Sequence, residues 1–254
     1  MLTPFPGQEN FYDASLRSET SQEYVAATSR DVSQKRNPTL GMRLHVRGFR
    51  LAVVEAMSEV MTREAYDQSS GLDEDCDLFI NPIESALLLA KSLQSPRQSD
   101  SDLLQAFCLT IAAGFDKLRR AASQNMEKHI SNFASFCRSK FSSRLNTELE
   151  QCSIMQQTVD GDGRNFSAQA RQFCHGRRFF VTDDGLFGLG PTAMEKDDIC
   201  CVLIGARVPF LLRRAANSEL YKVVGECYLH GYMEGKAIHD WRKGALTVED
   251  VVLS

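Results

Sequence analysis

Gly176-Arg177-Arg178-Phe179-Phe180-Val181-Thr182-Asp183-Asp184-Gly185 opens the part of this sequence whose grammar decides the fold. Phe179, Phe180 and Val181 run into turn residues, and Cys200-Cys201-Val202-Leu203-Ile204 then forms a continuous β-prone run. Arg207 to Leu212 and Tyr221 to Leu229 follow, with glycines as punctuation. Roughly four or five short strands of this kind predict a small antiparallel sheet or partial barrel between Gly176 and Gly235.

Upstream of this module the period changes. Residues 1–37 are rich in Ser, Thr, Gln and Glu with few large apolar groups, the composition of a loosely ordered arm. Met42 to Arg47 alternates apolar and polar, which predicts one short strand closed by Gly48. Leu51, Val54, Met57, Val60 and Met61 then fall at helical spacing, and an acidic loop spans Asp67 to Asp77. Pro82 suits a first helical turn, and Ser99-Asp100-Ser101 offers N-cap oxygens to a second helix carrying Leu103, Leu104, Phe107, Ile111 and Phe115. From about Gln124, the stripe Met126, Ile130, Phe133, Cys137, Phe141, Leu145, Leu149 and Cys152 predicts one long helix. Val159 to Asn165 reads as a loop, with a short helix over Ala168 to Cys174. The expectation is an α+β protein: an arm over 1–37, a mainly helical part with one short strand over 38–165, packed with a small antiparallel β-module and C-terminal tail over 166–254.

Composition narrows the function classes. The 254 residues are 43% hydrophobic and 24% charged, ordinary for a globular chain that buries a core. A net charge of −4 supplies no general attraction to nucleic acid or anionic lipid. The longest apolar stretch, Cys200 to Leu212, is interrupted by Arg207, and Met1 to Ser15 contains no apolar signal segment, so a cytoplasmic location is expected. The eight cysteines contain no C-x-x-C pair and are expected to be free, packed thiols.

Familiar cofactor motifs are missing: the sequence has no Walker A loop, G-x-S-x-G, H-E-x-x-H or dinucleotide-binding fingerprint, so no cofactor is expected. Asp160-Gly161-Asp162-Gly163-Arg164-Asn165 has the outline of a calcium loop, but Arg164 stands where an oxygen ligand belongs and Arg171 where the closing Glu belongs. It reads as a turn. Cys174-His175 has no second ligand pair at zinc spacing, so no metal is expected either. The best chemical constellation is Glu226, Tyr228 and His230, which on a strand would share one face as i, i+2 and i+4. Arg178, Arg207 and Arg213 could bind an anion, or pair with acids such as Asp183, Asp198 and Glu226 to fix the sheet.

Three strings carry a family resemblance: Gly176 to Gly185 with Gly188-Leu189-Gly190-Pro191; Val202 to Gly205 with Pro209-Phe210-Leu211-Leu212-Arg213; and Gly225-Glu226-Cys227-Tyr228-Leu229-His230-Gly231. In this order and spacing the chain resembles the C-terminal region of fungal heterokaryon-incompatibility-type proteins, and the likeness continues upstream through Phe11 to Ser15 and Leu44 to Phe49. The family's effector is an N-terminal Toll/interleukin-receptor-like domain, for which this chain has no room before the first matching string, so a self-contained NADase is not expected. Asp197 sits where the family usually has Gly, Ala206 replaces another Gly, and Lys236 replaces an acidic residue. The resemblance implies a binding or regulatory module in self-recognition, with a protein partner. The alternative is a cofactor-independent cyclase, of intramolecular Diels–Alder type, acting on a hydrophobic secondary metabolite in a pocket between helices and β-module. Tyr228, His230, Glu226 and Arg178 would be its catalytic residues, and Phe107, Phe115 and Phe133 would shape the pocket.

Overall fold

A computed structural model describes residues 43–66, 80–116, 121–156, 160–216 and 218–254. The arm at 1–37, the Phe11 to Ser15 string and the acidic loop at Asp67 to Asp77 lie outside them. Among the described residues two compact units are present, one built from 43–54 with 193–254 and the other from 55–192. The class is α+β, as the sequence predicts.

The first unit is a closed barrel. Its strands are β1 (Leu44–Met57, whose first eleven residues belong here), β4 (Ile199–Leu203), β5 (Phe210–Arg214), β6 (Leu220–Glu226) and β8 (Glu249–Leu253). They follow the order β4-β5-β6-β8-β1, and β1 pairs back onto β4. All pairs are antiparallel except β6 with β8, where Leu220 and Tyr221 face Val252 and Leu253 in parallel. Alternation fills the interior: Ile199, Cys201, Leu203, Leu212, Val251 and Leu253 form one buried cluster, joined by Phe210 of β5 and by Val46 and Tyr221 from the remaining strands. The opposite face of β1 and β4, with Phe49 and Val202, is covered by Ala237, Ile238 and Trp241 of the helix Lys236–Arg242. β4 is therefore buried on both faces, which is why its sequence is uniformly apolar.

Two expectations change here. Gly48 does not end the first strand, and residues 51–57 are not helical: β1 runs to Met57 with alternating burial. Val53 and Val54 are β-branched, and the ladder to β4, with a bulge at Leu51, outweighs a spacing that also fits a helix. Gly48 is paired on both edges, with Glu249 of β8 and Leu203 of β4, and a Cβ there would stand 2.7 Å from the Val202 carbonyl oxygen. The C-terminal tail is also no tail, because β8 is a stave of the barrel.

The second unit is helical around a hairpin. Its helices are α1 (Pro82–Ser92), α2 (Asp100–Ile111), α3 (Met126–Lys140), α4 (Ser143–Leu149), α5 (Ser153–Gln156) and α6 (Gly163–Cys174). The Asn81 side chain caps α1 through the Ile83 N–H, and Ser99 caps α2 through the Asp102 N–H at 3.1 Å. The long helix expected after Gln124 is broken at Phe141 and Ser142. There Ser142 caps α4 by accepting from Leu145 N–H, while its own N–H donates to the buried Glu84 carboxylate at 2.9 Å. A serine that can satisfy backbone donors and an acid at once is more stable as a cap than inside a helix. β2 (Arg177–Thr182) and β3 (Phe187–Pro191) pair antiparallel across the expected turn, where Gly185 takes φ 76°. Phe107 packs at a tilt against Phe133 and edge-on against Phe179, and Phe115 stacks on Phe173, in the interior of this unit.

Candidate functional site

β6 ends at Glu226, the Cys227 N–H donates to the Pro209 carbonyl at 2.9 Å, and a separate strand β7 covers only Tyr228–Leu229. The face expected along one continuous strand is thus divided. Glu226 is half-buried opposite Phe210, Tyr228 is buried in β7, and His230 lies in the turn that follows. The structure does join two of the three: Tyr228 Oη and His230 Nδ1 are 3.3 Å apart. Burial pushes the His230 pKa below its ordinary value, so the imidazole is neutral at pH 7. A phenol hydrogen-bonded to a neutral imidazole can hold a proton or present directed polar contacts. Arg178 lies in β2 of the helical unit, where its Nη1 donates to the Ser58 carbonyl at 3.4 Å and its Nε is buried without a partner among the described residues.

Arg213 takes the structural role. Its Nε and Nη2 grip the buried Asp198 carboxylate at 2.7 and 2.9 Å, Nη1 reaches Glu195 at 2.8 Å, and Nη2 also donates to the Ala193 carbonyl. The guanidinium pKa is raised by its hydrogen bond to Asp198. Next to this pair, Asp197 adopts φ 70°, the left-handed conformation that favours glycine. The Asp160–Asn165 segment is also structural. Asp162 caps α6 through the Arg164 N–H at 3.0 Å, and no group of carboxylates, histidines or cysteines able to hold a metal occurs among the described residues. Phe107, Phe115 and Phe133 are core residues, 0%, 6% and 0% exposed, rather than walls of an open pocket.

A cavity of about 320 Å³, whose lining mixes polar side chains with apolar surface, opens between α3 and α6. Asn125, Lys128, His129 and Asn132 line it from the start of α3, and Asn165 and Gln169 from α6. His129 and Gln169 are only 4% and 3% exposed. Sequence reading passes over these residues because the polar side of a helix with a strong apolar stripe looks merely solvated. The available signal is the recurrence of carboxamides at Asn125, Asn132, Asn165 and Gln169.

The family model described as the Het-6 beta-barrel domain matches residues 109–245. The chain belongs to this family. The match spans most of the helical unit and, in the barrel, β4 to β6 with the following helix; β1 and β8, which complete the Het-6 barrel here, lie outside it. Membership gives the chain a heterokaryon-incompatibility-related role, in line with the resemblance carried by its glycine-rich strings. No curated protein and no solved structure matches the chain. Among the described residues, no helix is long and apolar enough to cross a membrane.

Proposed function

We propose that this Het-6 barrel protein is a binding module of fungal self-recognition, acting in the cytoplasm on a protein partner such as a full-length heterokaryon-incompatibility protein. The observation that supports this reading is the filled barrel. All of its strands send side chains into one buried cluster, so the barrel is a scaffold and not a container. Recognition then falls to groups outside that cluster. Half-buried His230, with Glu226 at the end of β6, is the contact set in this proposal, and the buried Tyr228 positions the imidazole through their hydrogen bond. That set does not include Arg178, which belongs to the helical unit.

The test is reciprocal co-purification of the wild-type chain with a full-length family protein, repeated with Tyr228→Phe and His230→Ala. Each variant is expected to bind roughly tenfold more weakly, the scale of one lost hydrogen bond in a contact, with an unchanged circular dichroism spectrum. Conversion of a metabolite by the purified chain, with no binding to any full-length family protein, would instead establish the cofactor-free cyclase.

A further inference from the structure

The cavity between α3 and α6 contains a buried acceptor with nothing to accept from. Gln169 Oε1 has no hydrogen-bond partner among the described residues although its side chain is almost wholly enclosed. Leaving a buried polar atom unpaired is costly, and leucine would fill the same space without that penalty. The groups around it are selective in what they can still offer. Asn125 Oδ1 accepts from the Lys128 N–H at 3.2 Å and Asn132 Oδ1 from the Asp162 N–H at 2.8 Å, so these carboxamides have N–H left to give. His129 Nε2 lies 3.2 Å from the Cys108 carbonyl, which makes it the protonated nitrogen and leaves Nδ1 as an acceptor. Burial lowers the His129 pKa and keeps the ring neutral. Lys128 Nζ is committed to the Asp160 carbonyl at 2.6 Å, and Asp116 also lines the cavity.

We infer that this cavity binds a small neutral polyol or sugar-like molecule, whose hydroxyls donate to Gln169 Oε1 and His129 Nδ1 and accept from the carboxamides of Asn125 and Asn132. The lining argues against two other classes. A hydrophobic ligand would strand the carboxamides and the imidazole, and an anion would find the Lys128 ammonium already engaged by the Asp160 carbonyl. The volume of about 320 Å³ lies at the small end of ligand pockets, in keeping with a single sugar ring or a short polyol.

The experiment uses the full chain, with glucose, mannitol and N-acetylglucosamine as probes and inorganic phosphate as the control, read by ligand-observed NMR and thermal shift. At least one of the neutral probes is expected to bind, and Gln169→Leu to weaken it roughly tenfold while raising the melting temperature of the free protein. Asn125→Asp, which keeps the oxygen that accepts from the Lys128 N–H and removes the carboxamide N–H, provides a second variant with the same expected loss of binding. Absence of binding by all three neutral probes, phosphate binding in their place, or binding unaffected by both variants would overturn the assignment.

Discussion

Gly161→Ala tests how tightly the loop before α6 is pressed onto α3. A Cβ at this position would stand 1.8 Å from the Ser131 carbonyl oxygen, 2.4 Å from its carbon and 3.0 Å from Ser135 Cβ. Carbon–oxygen contacts settle near 3.3 Å, so backbone must withdraw by about 1.5 Å. Both partners are main chain, which leaves no flexible side chain to yield. The withdrawal pulls on the Asp162 N–H bond to Asn132 at 2.8 Å and the Lys128 bond to the Asp160 carbonyl at 2.6 Å. The top of the overpacking range, about 3 kcal/mol, plus roughly 1 kcal/mol for each strained hydrogen bond gives about 3–5 kcal/mol. At about 2–4 °C per kcal/mol, the melting temperature should fall by roughly 6–20 °C. Gly163→Ala is the internal comparison. A Cβ there would also meet backbone, Phe136 N at 2.9 Å, Ser135 C at 3.0 Å and Phe136 Cα at 3.1 Å, but a withdrawal of a few tenths of an ångström relieves it, so its cost should be smaller, about 1–2 kcal/mol. The assay is urea unfolding followed by far-UV circular dichroism. A Gly161→Ala stability within about 0.5 kcal/mol of wild type, or no worse than Gly163→Ala, would refute the close-approach argument.

Three further outcomes are expected. Arg213→Met should cost about 2 kcal/mol in urea unfolding, less than the 3–5 typical of a fully enclosed pair because the guanidinium is 34% exposed, and an unchanged midpoint would deny the Asp198 pair any structural weight. His129 and His230 both have folded pKa values below the unfolded value of about 6.5, so their contribution is complete above that pH and is lost as pH falls below it; melting temperatures measured from about pH 7.5 down to 5 should drop more steeply for wild type than for His129→Gln, and parallel curves would contradict the assignment. Thiol titration of the native protein should label Cys152 but not Cys108, Cys137, Cys174, Cys200, Cys201 or Cys227, which are buried, Cys201 with a thiol pushed up to about 12; rapid labelling of that group would show that the interior opens.

Much of the β-module was legible because its residues have few alternatives. The turn at Asp183 to Gly185 and the apolar run of β4 are strong local signals, and both lie where expected. Barrel closure was not legible, since it depends on pairing β1 and β8 across some two hundred residues and no local pattern encodes such a partner. β1 was misread for a related reason: Leu51, Val54 and Met57 fit helical spacing, and only the ladder to β4 decides between the two periods. Ser142 shows the opposite failure, an unbroken apolar stripe divided by one capping side chain. At Asp197 the glycine that the family resemblance implies would suit the left-handed φ of 70°, a conformation Asp tolerates better than other non-glycine residues except Asn. Of the candidate residues, the Tyr228–His230 contact follows from their spacing, whereas the cavity between α3 and α6 needs two helices brought together.

The pairing of Leu44 with Leu253 has a consequence for synthesis. Residues 55–192 leave the ribosome as one uninterrupted segment and can begin to assemble while translation continues. The barrel cannot. Until residues 249–253 emerge, β1 presents an edge to solvent while the residues between it and β8 are translated, the situation in which strands find wrong partners. Gly48, a poor strand former placed where the β8 and β4 ladders meet, limits how far a wrong partner could extend along that edge.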